Sequence, residues 1–215
     1  MFTHYRTQGV VVKKIDRGEA DQLLVVYTKD FGRIEVMARG IRKITSKLRP
    51  AVEFPSVAEI EFIQGKACKT LTDALIMNLL VDSRKDLRKS AALRRICGFA
   101  EEIIKDQQED SRIWGLLRSA LFFVESADAK CAAAICHYFV WHLLDVAGWR
   151  PDFGGEARSD GRPELNERNI GVQTLALVKF FCDTNIERGS LMRLTGRQND
   201  LLLAAARDHL AAVTK

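Results

Sequence analysis

The sequence has no long apolar run. Nowhere do the roughly eighteen consecutive apolar residues of a membrane helix occur, and the apolar run nearest the start, Val10 to Val12, is too short for the core of a signal peptide. The chain is therefore expected in the cytoplasm. Cysteine is sparse: Cys68, Cys97, Cys131, Cys136 and Cys182 are odd in number and form no C-x-x-C pair. That argues against a disulfide framework and reads as reduced core thiols. Catalytic signatures are missing too. There is no G-x-S-x-G elbow, no H-E-x-x-H and no Walker loop, since GGEARSDGR (154–162) lacks the terminal Lys-Ser/Thr. His137 and His142 stand five residues apart on one expected helix, about 140° around its axis, so they do not converge on a metal. The acidic stretch DQQED (106–110), with Glu101 and Glu102 upstream, reads as a solvated helix end rather than a two-metal site. No catalytic residue, cofactor or metal is expected.

What is present is positive charge in one place. The chain carries 33 Lys and Arg against 28 Asp and Glu, and residues 1–80 hold most of the excess, with 13 basic and 9 acidic side chains. It concentrates in ARGIRKITSKLRP (38–50), where Arg39, Arg42, Lys43, Lys47 and Arg49 occur without one acidic residue. Cations this close repel one another and attract a polyanion, whose condensed counterions they release without reading sequence. With Arg33 they form the candidate phosphate-contact set, and Lys13 and Lys14 extend the surface. The plainer reading is a loop made basic for solubility. Tyr27 and Phe31 are the aromatics that would stack on bases, but packing in the core or a turn is the simpler role for each.

From about residue 8 to 77 the pattern repeats every two residues. Ile34, Val36 and Ala38 alternate with Arg33, Glu35, Met37 and Arg39, and Ala58, Ile60 and Phe62 alternate with Glu59 and Glu61, as on half-buried strands. QGVVVKK, DQLLVVYTKD and a hairpin turning at Gly65 bring the count to five. Five short antiparallel strands hide their edges most economically in a small barrel, of which the OB-fold is the common form. After residue 80 the period becomes helical. A helix capped by Ser83 carries Leu93, Ile96, Ala100, Ile103 and Ile104 on its apolar side, and others fit 111–125, 129–147, 172–184 and 197–213. The third is apolar nearly all round and belongs in the centre of a bundle. Residues 148–169, rich in Gly, Pro and charge, read as a long loop. The expected architecture is α+β and multidomain: a five-stranded barrel over residues 1–80, then an all-α domain over 81–215.

These residues also carry a resemblance. TQGVVVKK, GEADQLL, the T-x-x-x-G of Thr28 to Gly32, and ARGIRK followed by SKLRP resemble, in the same order, the amino-terminal domain of the RecO recombination mediators. LLDVAGWRP (143–151) is similar to that family's buried helix ending in a Gly-x-x-Pro turn. The resemblance implies an OB-fold joined to a helical domain, no catalytic residues, and binding and annealing of single- and double-stranded DNA in the nucleoid. It implies partnership with RecR and with the C-terminal tail of the single-strand binding protein SSB, and through them help in loading RecA. Recruitment by SSB requires an apolar pocket with a basic rim, for which Arg94, Arg95 and Arg118 are candidates. Many family members carry a four-cysteine zinc module after the Gly-x-x-Pro turn. Here residues 137–181 contain no cysteine, so zinc is not carried over. An OB module for structured RNA and a purely structural adaptor are the readings from other classes.

Overall fold

A computed structural model describes residues 3–105, 107–153 and 164–214. Five strands, β1 (His4–Arg17), β2 (Asp21–Thr28), β3 (Gly32–Ala38), β4 (Val57–Gln64) and β5 (Lys69–Asn78), close into a barrel in the order β1-β2-β3-β5-β4. All neighbours are antiparallel except β3 and β5. β1 closes the barrel because it is long enough to serve two partners. Its first half pairs with β4 and its second half with β2, with an irregularity between Val11 and Lys13 where it changes direction. The expected alternation holds: Val11, Leu24, Val26, Ile34, Val36, Ala58, Ile60 and Phe62 meet in one buried core. The expectation for the first strand began too late, since the buried Val10–Val12 stand out in the sequence while His4 and Arg6 face solvent and pair with Glu61.

Thr28 and Gly32 show why the T-x-x-x-G spacing matters. The Thr28 hydroxyl donates to the Gly32 carbonyl (2.9 Å) and accepts from the Phe31 amide (3.1 Å), closing the β2–β3 turn, and Gly32 itself sits at φ +59°. A Cβ on Gly32 would also overlap the Gln108 backbone. Gly32→Ala should therefore cost at least about 2 kcal/mol, from the left-handed backbone and the overlap together. Gly18→Ala, at φ +62° with open space around it, should cost clearly less. Urea midpoints at unchanged m-value measure both; equal losses would mean that the Gln108 contact contributes nothing.

The helices are α1 (Val81–Lys85), α2 (Leu87–Ile103), α3 (Ser111–Ser126), α4 (Ala132–Val146), α5 (Glu167–Ile170), α6 (Val172–Asp183), α7 (Ile186–Gly189) and α8 (Gly196–Val213). The chain divides into two compact units, Met1–Arg84 with Cys97–Arg118, and Lys85–Ile96 with Ser119–Lys215. Within the first, Lys13 pairs with Glu101 (3.2 Å), and the Tyr27 hydroxyl donates to the Asp110 carbonyl (3.3 Å). Asp110 also caps α3 through the Arg112 amide (2.8 Å), so one carboxylate of the acidic stretch is a helix cap, while Asp106 lies outside the described residues. Within the second, α4 packs against α6, α7 and α8 and buries Phe139, Val140 and Trp141 completely. Gly148, at φ +81°, ends α4, and the Trp149 amide returns to the Leu144 carbonyl (2.7 Å).

Two sequence expectations are corrected. Ser83 does not cap the long helix: it is buried inside the short α1, while the Asp86 carboxylate takes the amides of Arg88 (2.8 Å) and Lys89 (3.1 Å) at the start of α2. Four cysteines are buried, and burial pushes the Cys136 and Cys182 thiols up to about 12, but Cys68 is half-exposed on the β4–β5 turn rather than in the core. The glycine-rich segment 154–163 lies outside the described residues. Its flanks are joined, with the Leu165 amide donating to the Asp152 carbonyl (2.8 Å).

Candidate nucleic-acid interface

The basic stretch is the connection between β3 and β4, and its base is fixed. Ile41, Ala51 and Val52 are buried in the barrel core, with Leu48 and Phe54 packed against it. Backbone bonds tie it to the β1–β2 turn: the Gly40 amide donates to the Asp21 carboxylate (2.7 Å) and the Arg42 amide to the Ala20 carbonyl (3.0 Å). Two consecutive turns follow, closed by the Lys43 amide on the Gly40 carbonyl (3.1 Å) and the Ser46 amide on the Lys43 carbonyl (3.0 Å). Residues 42–47 thus form a tip that the barrel holds out into solvent.

Arg42, Lys43 and Lys47 on this tip, and Arg39 and Arg49 on either side of it, are all exposed. Arg42 lies 3.5 Å from Asp16 and donates to the Gly18 carbonyl (3.4 Å), and Arg49 lies 3.8 Å from Glu53, both exposed and therefore weak pairs. Among the described residues no carboxylate pairs with Arg39, Lys43 or Lys47. Lys14 and Arg49 share the single carboxylate of Glu53, each at 3.8 Å. The Lys14 amine is pushed below the usual lysine range, first by burial; Glu53 opposes this, and the guanidiniums of Arg84 and Arg49 offset part of that opposition. Arg84, which the sequence did not mark, joins this surface because its guanidinium donates to the Pro55 carbonyl (2.9 Å).

Two of the sequence's choices are not brought to the tip. Arg33 stands opposite Tyr27 in the β2–β3 register, at the end away from Ala38 and Gln22 where the loop begins. Its side chain is 16% exposed and bonded to Glu35 (3.0 Å). Lys13 is turned to Glu101. Tyr27 is buried, which with the Asp110 carboxylate raises its hydroxyl to about 12, and Phe31 packs edge-on against Tyr5 and Phe62. Tyr27 offers no face to a base, and Phe31 is partly buried in these ring contacts.

The second unit holds a groove of about 620 Å³ between the first half of α2, the turn before α4 and the start of α8. Its apolar lining comes from Leu87, itself 88% exposed, and from Ala91, Ala92, Ala133 and Leu194, and its cations are Arg88, Arg95, Lys130 and Arg193. Arg193 is engaged by Asp128 (3.3 Å), which leaves Arg88, Arg95 and Lys130 as the less committed charges. Of the three arginines marked from the sequence, Arg95 lines this groove and Arg94 and Arg118 do not. Periodicity could not find the others, because the groove is assembled from three segments spread over about a hundred residues. Among the described residues no group of three His, Cys, Asp or Glu side chains is placed to hold a metal ion, and no helix is long and apolar enough to cross a membrane.

Known proteins are similar to this chain in sequence. The family model described as Recombination protein O N terminal matches residues 1–80, and that described as Recombination protein O C terminal matches residues 84–210. A DNA repair protein RecO from Dehalococcoides mccartyi is 32% identical over 149 residues, covering 69% of this chain and 58% of the relative. The protein of the same name from Acetivibrio thermocellus is 25% identical over 150 residues (70% and 59%), and that from Symbiobacterium thermophilum 23% identical over 216 residues (89% and 85%). The chain therefore spans less than two thirds of the length of the first two of these relatives. With the two family models together accounting for nearly the whole sequence, the chain belongs to the RecO family of recombination proteins.

Proposed function

We propose that this protein is a DNA repair and recombination mediator that binds single- and double-stranded DNA through the β3–β4 loop and promotes annealing. The observation that carries this is the pinned loop whose cations Arg39, Lys43 and Lys47 have no carboxylate partner among the described residues. Arg42 and Arg49, held only by exposed pairs, complete the contact, and Arg33 stands outside it. Two strands placed in one cationic field repel each other less, so complementary bases meet more often without any bond chemistry. Partnership with RecR, and through it RecA loading in the cytoplasm, belongs to the same reading. Fluorescence anisotropy of a single-stranded oligonucleotide across a salt series tests it, with structured RNA as competitor to separate an RNA-binding role.

The groove of the helical unit supports recruitment by SSB, whose tail would bring acidic residues and an apolar end to a basic-rimmed apolar lining. A peptide of that character, acidic with an apolar C-terminus, should bind in calorimetry, and Arg88→Glu with Arg95→Glu should weaken it at least about tenfold, one desolvated charge pair's worth or more. Unchanged affinity in the double variant would remove the groove from this reading.

A further inference from the structure

Ile44 is 96% exposed, the barest of the large apolar side chains in the described structure. Single exposed aliphatics are ordinary, but this one combines three features. It is the second residue of the turn closed by Ser46 on Lys43, a position that turn chemistry assigns to proline or small polar residues rather than a β-branched one. The turn stands on a base fixed by Ile41 and Val52 in the core, so the side chain is presented outward at little further entropic cost. And its neighbours are cations: Arg42, Lys43 and Lys47 on the same tip, with Arg39 just before it.

A protein pocket that accepted Ile44 would have to desolvate those charges for one aliphatic group. A nucleic acid strand answers both demands at once, with phosphates for the cations and an apolar base face for the side chain. In a duplex that face is covered, and reaching it requires unstacking a step. In a single strand it is open. We infer that Ile44 is a wedge that packs on an unstacked base of single-stranded DNA while the surrounding cations hold the phosphates, so that the loop binds a single strand more tightly than a duplex. An aliphatic contact on the base face leaves the pairing edge free, which suits a strand that must still find its complement. This inference rests on the DNA reading of the loop.

The test uses the full chain with a single strand containing 2-aminopurine, which brightens when it unstacks, and with the corresponding duplex. Ile44→Ser, which removes no packing inside the protein, should lower single-strand affinity about tenfold, the worth of one aliphatic side chain taken out of water. The salt slope and duplex affinity should not change, the brightening should vanish, and Ile44→Leu should retain it. If Ile44→Ser keeps full affinity and brightening while loss of the four neighbouring cations weakens binding, the wedge is wrong and the DNA site stands. If duplex affinity falls as far as single-strand affinity, the strand preference is wrong. If the cation variant also binds like the wild type, the loop is not the DNA site and the wedge falls with it.

Discussion

Replacing Arg39, Arg42, Lys43 and Lys47 with Ala should flatten the salt dependence of single-strand binding by about three log units of affinity per log unit of salt, at about 0.7 for each phosphate no longer neutralised. The difference between wild type and variant then depends strongly on conditions. Between about 50 and 200 mM salt the advantage of the wild type should shrink about fiftyfold, so one measurement at high salt would miss most of the effect. The variant should fold normally, because all four side chains are exposed and their substitution belongs to the class worth within about 0.5 kcal/mol. Arg42 should count for least, since Asp16 already takes part of its charge. Restoring Arg42 in the variant should then recover less of the slope than restoring any one of the other three. Equal slopes in wild type and variant would place DNA elsewhere on the molecule.

The barrel was legible in the sequence because its strands obey the simplest rule. Ile34, Val36 and Ala38 fall inside and Glu35 outside, and Ala58, Ile60 and Phe62 fall inside as the alternation requires. The long helices were legible for the same reason at a period of 3.6, down to the fully buried Ile135, Phe139 and Leu143 of α4. What was not legible is short or non-local. α1, α5 and α7 have four or five residues each, too few to show a period. The start of α2 turned on which of Ser83 and Asp86 reaches the first amides, and both are ordinary capping residues.

The candidate site divides along the same line. Local charge density singled out residues 38–50, and the tip is built from them. Which of the marked cations are free for a ligand depends on how side chains turn and on carboxylates elsewhere in the chain: Asp16 takes part of Arg42 and Glu101 takes Lys13, while Glu35, two residues along the same strand, takes Arg33. The exposure of Ile44 was equally invisible, because an isoleucine three residues after another, Ile41, reads as helix or core until the turns are known. The groove of the helical unit needed three distant segments to meet and left no trace in any one of them.

Acid should destabilise the helical unit well before its carboxylates titrate, and His137 is the cause with the largest expected effect. The imidazole is completely buried, its Nε2 bonds the Asn199 side-chain oxygen at 3.1 Å, and its Nδ1 has no partner. Protonation would place a second N–H where nothing accepts it. Burial, with repulsion from the Arg95 guanidinium, pushes this histidine down from 6.5 to about 4, against the opposing bond to Asn199. The unfolded chain therefore takes up a proton below about pH 6.5 that the folded chain refuses until about pH 4. In that window the unfolded state binds more protons, so stability rises with pH and is lost as pH falls, by about 3 kcal/mol across the whole range and about 2 by pH 5. Asp110 and Asp128 in this chain are held below the usual carboxylate range and stay ionised above about pH 5, so the upper part of the window belongs to histidine. His142 and His209 are also lowered by burial and add to the loss in the same direction. The measurement is urea unfolding at about pH 7 and pH 5 for the wild type and His137→Gln, which can still reach Asn199 but cannot titrate. The variant should be less stable at neutral pH and lose about 2 kcal/mol less on acidification. If both proteins lose the same amount, the proton is taken up elsewhere, and His142 and His209 become the groups to replace.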